Sequence, residues 1–318
     1  MGRFAWEHRL ARLKEHRLAR LKGDLRAMSK SRHGVLALER ARWVTMLRTR
    51  LVWLLMRLVS WQRLADWQTR GWLRPLSLVL AHGELSMLGG VGLRMRLSAG
   101  TFEPWGAQAY AVLEGTHEVQ VQEALRRTAG HGAVVWDVGA NIGVFSLLAA
   151  RLVGPSGRVV AIEPEAACAE AIGDHARRNA IDWIEVHAVA ATARTGETEL
   201  IVVRDSLWTR LVSVGEHELE VDRRLVPGYA LDDLPAPPPA LVKIDVEGAE
   251  LEVLSGMRRL LADVQPAVVC EMHGKNRDFC DAMTAAGYDV LNLDGPEPVQ
   301  EAGGNVHALC VPVGRAAA

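Results

Sequence analysis

VVWDVGANIGVF, residues 134–145, is the stretch whose reading decides the fold. An apolar run closes on Asp137, and the chain then turns through Gly139, Asn141 and Gly143 into a second apolar stretch. A glycine-rich turn between a strand and a helix is where α/β sheets hold nucleotide-like ligands, because open backbone and a helix N-terminus meet there. A dinucleotide site would carry Gly-x-Gly-x-x-Gly. Here the order is Gly-x-Asn-x-Gly, with an acid two residues ahead of the first glycine.

Those two differences select the guest. Asn141 puts an amide where a pyrophosphate needs bare glycine. Asp137, at a strand end, favours a cation over a phosphate. A ligand with an amino group, a sulfonium and a ribose meets both conditions, and S-adenosylmethionine has all three. Glu163 closes the next strand, RVVAIEP, where a carboxylate accepts hydrogen bonds from ribose hydroxyls. By itself Glu163 fits an NAD-type oxidoreductase equally well. The missing third glycine argues against that alternative.

Outward from the turn, strands and helices alternate. AVVWDV, RVVAIEP, WIEVHAVAA, ALVKIDV and PAVVCEMH read as strands. IGVFSLLAARLV, EAACAEAIGDHARRNA, EGAELEVLSGMRRLLA and KNRDFCDAMTAAG read as the helices that follow four of them. A polar stretch, 194–231, holds one strand, ETELIVV, and PAPPP at 235–239 is a stiff connector. YDVLNLDG and NVHALCVPV have no helix between them and should pair antiparallel. The repeated units predict a parallel sheet with helices on both faces. Upstream, VGLRMRLSA and AQAYAVLEG read as short strands and THEVQVQEALRRTAG as a helix.

DVGANIG, AIEP, VKIDVEGAELEVLSG and CEMH together resemble the FkbM family of S-adenosylmethionine-dependent methyltransferases, from about Gly115 to Val313. KIDVEGAE at 243–250 is the most specific element. The resemblance implies a Rossmann-like class I methyltransferase sheet of seven strands, the last antiparallel. It also implies O-methylation of a saccharide or secondary-metabolite hydroxyl. The expected cofactor-binding residues are Asp137, Gly139, Ala140, Asn141, Gly143, Glu163 and Ala190.

Methyl transfer to an alcohol needs an in-line approach and a proton acceptor. Asp245, at the end of the strand beside the glycine turn, is the expected base or substrate anchor. Glu271 and His273 alternate at the next strand end and so point the same way; they are expected to form an acid–base pair. With Asp245 they could also hold a divalent metal. Three scattered residues are thin evidence for that, and no metal ligand is assigned. Glu250 reads as a helix-start acid stabilised by the dipole, and Glu247 stays open between that role and the site. His117 and His307 show no comparable grouping.

The chain has 318 residues and a formal charge of −1, which hides an asymmetry. Residues 1–80 hold 18 Lys and Arg against 5 acids, and residues 81–318 hold 19 against 33. The expected organisation is a basic, Trp-rich helical extension at 1–84 and a catalytic domain at 85–318. The extension opens with EHRLARLK twice in tandem, at 7–14 and 15–22, and later spaces Val44, Leu47, Leu51, Leu54, Leu58 and Trp61 in heptad fashion. It reads first as a packed amphipathic extension. Peripheral contact of residues 1–74 with an anionic membrane face is the second reading, and self-association into a homo-oligomer the third. A non-catalytic adaptor binding through these helices would leave Asp137, Glu163 and Asp245 unexplained. No nucleic-acid module accompanies the basic charge. No apolar run reaches the ~18–20 residues of a membrane span. Four scattered cysteines fit buried thiols in a reducing compartment. The expectation is therefore a cytoplasmic enzyme with a small-molecule acceptor: a sugar, a polyketide or a lipid-linked glycan.

Overall fold

The computed structural model describes residues 44, 45, 47, 49, 50, 84–98, 107–203, 209–211 and 220–314. The chain divides into two units, Met1–Leu51 and Val52–Ala318. In the first, the described residues are helical, with Val44 and Leu47 exposed. The octapeptide repeat, the rest of the heptad stripe and the six tryptophans before residue 75 lie outside the described residues, as does most of the expected 1–84 extension. Among the described residues no helix is long and apolar enough to cross a membrane.

The second unit opens with an antiparallel pair, β1 (Glu84–Ser86) and β2 (Arg96–Ser98). Of VGLRMRLSA only this short β2 is extended. AQAYAVLEG, expected as a strand, is a helix, α1 (Ala107–Glu114). Its apolar–polar alternation imitates a strand, but alanine at every other place is the strongest helix former, and Val112 and Leu113 bury on one side. Next come α2 (Val119–Thr128), β3 (Val134–Val138), α3 (Val144–Val153), β4 (Arg158–Ile162), α4 (Ala166–Arg178) and β5 (Ile184–His187). The single strand expected at WIEVHAVAA breaks after His187, where Val189 N–H turns back onto the His187 carbonyl; Ala190–Ala191 forms β6 in another sheet. The polar stretch supplies β7 (Gly196–Val203), β8 (Thr209–Leu211) and β9 (Glu220–Tyr229), of which only β7 was expected. Then follow β10 (Leu241–Ile244), α5 (Glu250–Ser255), β11 (Ala267–His273), α6 (Asn276–Ala285), β12 (Tyr288–Asn292) and β13 (Asn305–Pro312). The one long helix expected at 247–262 stops at Gly256 and resumes as a π turn, Leu260–Val264. Gly256 lies so close to the Thr192 carbonyl that a Cβ would collide with it.

The main sheet has seven strands in the order β12-β13-β11-β10-β3-β4-β5. Every neighbour pairs in parallel except β13, which runs antiparallel to both β11 and β12. This is the expected Rossmann-like class I methyltransferase arrangement. Side chains of β3 alternate between two cores: Val135 packs under α2 and α3, while Trp136 and Val138 pack with α5, α6 and β11 on the other face. Trp136 Nε1 donates to the Pro237 carbonyl at 2.9 Å, which pins the PAPPP connector to the sheet. A second sheet, in the order β6-β9-β7-β8, is built largely from the polar stretch. Strand order reverses between β3 and β10, and the C-terminal ends of strands at such a reversal are where open α/β sheets bind ligands.

Candidate active site

The glycine turn sits at that reversal. Gly139 has φ +72°, and a Cβ on it would run into the Asp245 carbonyl at the end of β10. Only glycine lets the two strand ends touch. The N–H groups of Gly139 and Ala140 both donate to the Ile162 carbonyl, at 2.9 and 3.1 Å, so the turn folds back over β4. Asn141 takes φ +50°, and its side-chain oxygen accepts the Ile142 N–H at 2.8 Å, the local bond that makes asparagine tolerable there. Gly143 has φ +82° and opens α3 with Ile172 pressed against it.

Glu163 follows β4 and is buried. Its two oxygens accept the backbone N–H groups of Asn141 and Glu165, each at 2.8 Å. Burial pushes its carboxyl up to about 7, against those two bonds. The structure thus joins Glu163 to the turn. Ala190, buried in β6, packs with Leu200 and Ala249. Asp137 is 1% exposed and lies beneath the turn, with Oδ2 accepting the Ser146 hydroxyl at 2.6 Å.

Lys243 on β10 is in register with Asp137 on β3. Its ammonium stands 3.6 Å from Asp137 Oδ1, 3.2 Å from Asp245 Oδ2 and 5.0 Å above the centre of the Phe145 ring. Burial would lower its pKa, but Asp245 and Asp137 hold it above the usual lysine value. Nothing in the linear sequence marks this lysine beyond its place in KIDVEGAE.

Beyond Asp245 the chain makes a left-handed step through Glu247, at φ +52°, and Gly248, at φ +100°. The step turns Glu247 and Glu250 toward His273 at the end of β11. His273 Nδ1 lies 2.9 Å from Glu250 Oε1, and its Nε2 lies 3.4 Å from Glu247 Oε2 and 3.7 Å from Glu271 Oε1. Asp245 joins the group, with one polar atom each of Asp245, Glu247 and His273 within 4.8 Å of the others, so Asp245, Glu271 and His273 share the end of the sheet that their strands predict. Glu250 stands in the first helical turn as expected and does more: it is 2% exposed and also accepts the Gly248 N–H at 2.8 Å. Burial would lower His273, yet its bond to Glu250 and the charges of Glu247 and Asp245 raise it to about 9. Burial lifts Glu247 to about 7, against the pull of His273. Glu271 is raised by burial and by Asp245.

A neighbouring group corrects the reading of His307 as ungrouped. It stands on β13 opposite Glu271 on β11 and faces Glu118, which precedes α2. Its Nδ1 meets the Asp294 carboxylate at 3.1 Å and Gln120 Nε2 at 3.0 Å. Burial would raise Glu118, but His117 and His307 hold it well below the ordinary carboxylate range. Glu118 and His307 meet only because α2 packs across β11 and β13, and no spacing in the sequence signals it.

Residues 137–290 match the family described as the methyltransferase FkbM domain. Similar solved structures include the methyltransferase FkbM from Methylobacillus flagellatus KT, at 20% identity over 63% of this chain and 53% of that one, TM-score 0.40. The chain thus spans about half the length of that relative. They also include the ribosomal protein L11 methylase from Lactobacillus delbrueckii subsp. bulgaricus, at 14% identity over 61% of this chain and 77% of that one, TM-score 0.40. A third is Aeropyrum pernix fibrillarin with natively bound S-adenosyl-L-methionine, at 13% identity over 60% and 74%, TM-score 0.39. No curated protein matches the chain.

Proposed function

We propose, on the premise that residues 137–290 of this chain form an FkbM methyltransferase domain, that it moves the methyl group of S-adenosylmethionine to a hydroxyl of a saccharide or secondary-metabolite acceptor. The observation that carries this reading is the contact between Gly139 and the Asp245 carbonyl. It sets the nucleotide-type turn directly against the acidic strand end, so a methyl donor on one and a hydroxyl on the other would be neighbours.

The residues present suit that donor. Glu163 is buried at the end of β4 and keeps lone pairs beyond its two backbone bonds, which suits a pair of ribose hydroxyls. Gly139, Ala140, Asn141 and Gly143 give a turn with little side-chain bulk, and Ala190 adds a small wall beyond β5. Asp137 is committed to Lys243 and Ser146, and in this reading it acts through the shape of the turn above it. When bound, S-adenosylmethionine supplies an electrophilic methyl carbon.

The chain's own residues then handle the hydroxyl. Asp245, fixed by Lys243, accepts the hydrogen bond of the acceptor and orients its oxygen. Glu247, raised to about 7, is poised near neutrality to take the proton. His273, kept protonated by Glu250, offsets the negative charge that Glu247 and Glu271 carry before the proton arrives. Holding the oxygen in line contributes the larger share of such a reaction.

The test is incubation of the full chain with labelled S-adenosylmethionine and a panel of sugars, polyols and polyketide alcohols, with products read by mass spectrometry. An O-methyl product supports the reading. Label found only on acceptor nitrogen or carbon, or no donor binding by calorimetry, overturns it.

A further inference from the structure

We propose that Glu118, Glu271 and His307 form a site for one divalent transition-metal cation at the rim of the main sheet. The three side chains come from distant parts of the chain and converge on one point. His307 Nε2 lies 3.7 Å from Glu118 Oε2 and 3.8 Å from Glu271 Oε2. One ligating atom from each residue falls within 4.8 Å of the other two. These separations are too long for hydrogen bonds. They are close to the spacing of atoms that share an ion, since ligands ~2.1 Å from a common centre stand about 3.4 Å apart in a tetrahedron. A contraction of a few tenths of an ångström would bring each carboxylate to ligand spacing from His307 Nε2.

The second observation is the burial of the same atoms. His307 is 9% exposed, and neither its Nε2 nor Glu118 Oε2 has a hydrogen-bond partner although both atoms are buried. Buried polar atoms are almost always satisfied, because leaving one unpaired forfeits its hydration without return. Both atoms face the same gap, where at 3.7 Å they form only a long ion pair with each other, and a cation there would give each a direct partner. Lys243, whose charge reaches Glu118, is engaged by Asp137 and Asp245.

The surroundings of the imidazole agree. Asp294 accepts the His307 backbone N–H at 2.7 Å and places its carboxylate 3.1 Å from Nδ1, while Gln120 holds Asp294 at 2.7 Å. A carboxylate on the remote ring nitrogen orients a metal-ligating histidine and leaves Nε2 as the donor atom. Two carboxylate oxygens and one imidazole nitrogen suit Mn²⁺, Fe²⁺ or Zn²⁺. The neighbouring trio Asp245, Glu247 and His273 shows no such buried orphan among the described residues, and His273 is already bonded to Glu250.

The test is metal binding by the full chain, independent of any turnover. The chelator-stripped protein is titrated with MnCl₂ and with ZnCl₂ by calorimetry, alongside Glu118→Gln, His307→Gln and Glu247→Gln, with each variant's melting temperature taken without metal. The expected result is one ion per chain, weakened more than about tenfold by Glu118→Gln and by His307→Gln and unchanged by Glu247→Gln. Should one of the first two variants not fold, the other decides. Wild-type protein that takes up neither ion at millimolar concentration overturns the proposal. So does binding that survives Glu118→Gln or His307→Gln, or that is lost in Glu247→Gln alone, which would put the ion in the adjacent cluster.

Discussion

Lys243 Nζ lies 3.6 Å from Asp137 Oδ1, across the seam where the main sheet reverses its strand order. The same ammonium lies 3.2 Å from Asp245 Oδ2. One buried cation therefore ties the strand under the glycine turn to the strand that presents the acidic cluster. Both partners of the seam pair are almost wholly out of water, at 4% and 1% side-chain exposure, so each depends on the other.

Lys243→Met should therefore destabilise the fold by about 3–5 kcal/mol, the cost of leaving buried charge uncompensated. Urea unfolding measures it. Asp137→Asn added to Lys243→Met should recover part of the loss, because it removes one stranded carboxylate. A single variant within about 1 kcal/mol of the wild type would mean that the two groups do not depend on each other.

Glu163 tests the donor side. Glu163→Ala should weaken S-adenosylmethionine binding by about 1.5–3 kcal/mol, the scale of hydrogen bonds to a charged acceptor. Calorimetry on the two proteins gives the difference directly. Unchanged affinity would remove Glu163 from the ribose and leave it only the task of holding Asn141.

The pH dependence follows from Glu247 and His273. Glu247 sits at about 7, so its basic form accumulates as pH rises through that value. His273 sits at about 9, so its positive charge is lost above that value. Turnover should rise through about pH 7 and fall above about pH 9. Glu247→Gln should abolish the rising limb. Stability carries a matching signature: His273 is raised from 6.5, so its contribution is complete below about 6.5 and fades as pH passes 9. A rising limb that persists in Glu247→Gln would hand the proton to another group.

What could be read in advance follows the range of the interactions. The strand–turn–helix at 134–153 is local: the backbone demands of Gly139 and Gly143 and the apolar periods on either side are all written within twenty residues. The antiparallel end of the sheet was legible for the same reason, since only a single 3-10 turn, Val299–Glu301, lies between Asn292 and Asn305 and no crossover helix does. AQAYAVLEG was misread because a period of two in hydrophobicity outweighed the helix preference of its alanines. The second sheet was half hidden because its pairings join segments that look only polar. Glu118, Lys243 and His307 were invisible as site residues for a different reason. Each acquires its chemistry from a partner on another element: Lys243 from Asp137 across one strand pairing, Glu118 and His307 from each other across the domain.

Asp245 tests where the chemistry lies. Asp245→Asn should keep the fold, because the amide has nearly the shape of the carboxylate and its carbonyl oxygen can still meet Lys243. Donor binding should change little, since Glu163 and the turn are untouched. Turnover should fall by roughly 10²–10⁴-fold, the range for removing a group that orients or accepts the reacting proton. The split between kinetic constants separates its role from that of Glu247. If Asp245 orients the hydroxyl and Glu247 takes the proton, Asp245→Asn should retain the rise through about pH 7 at a reduced rate. Glu247→Gln should be slow at every pH. If Asp245 itself is the base, Asp245→Asn should be the variant that is slow at every pH. An Asp245→Asn enzyme with normal turnover on a good acceptor would move the reaction away from the end of β10, whatever the rest of the acidic cluster does.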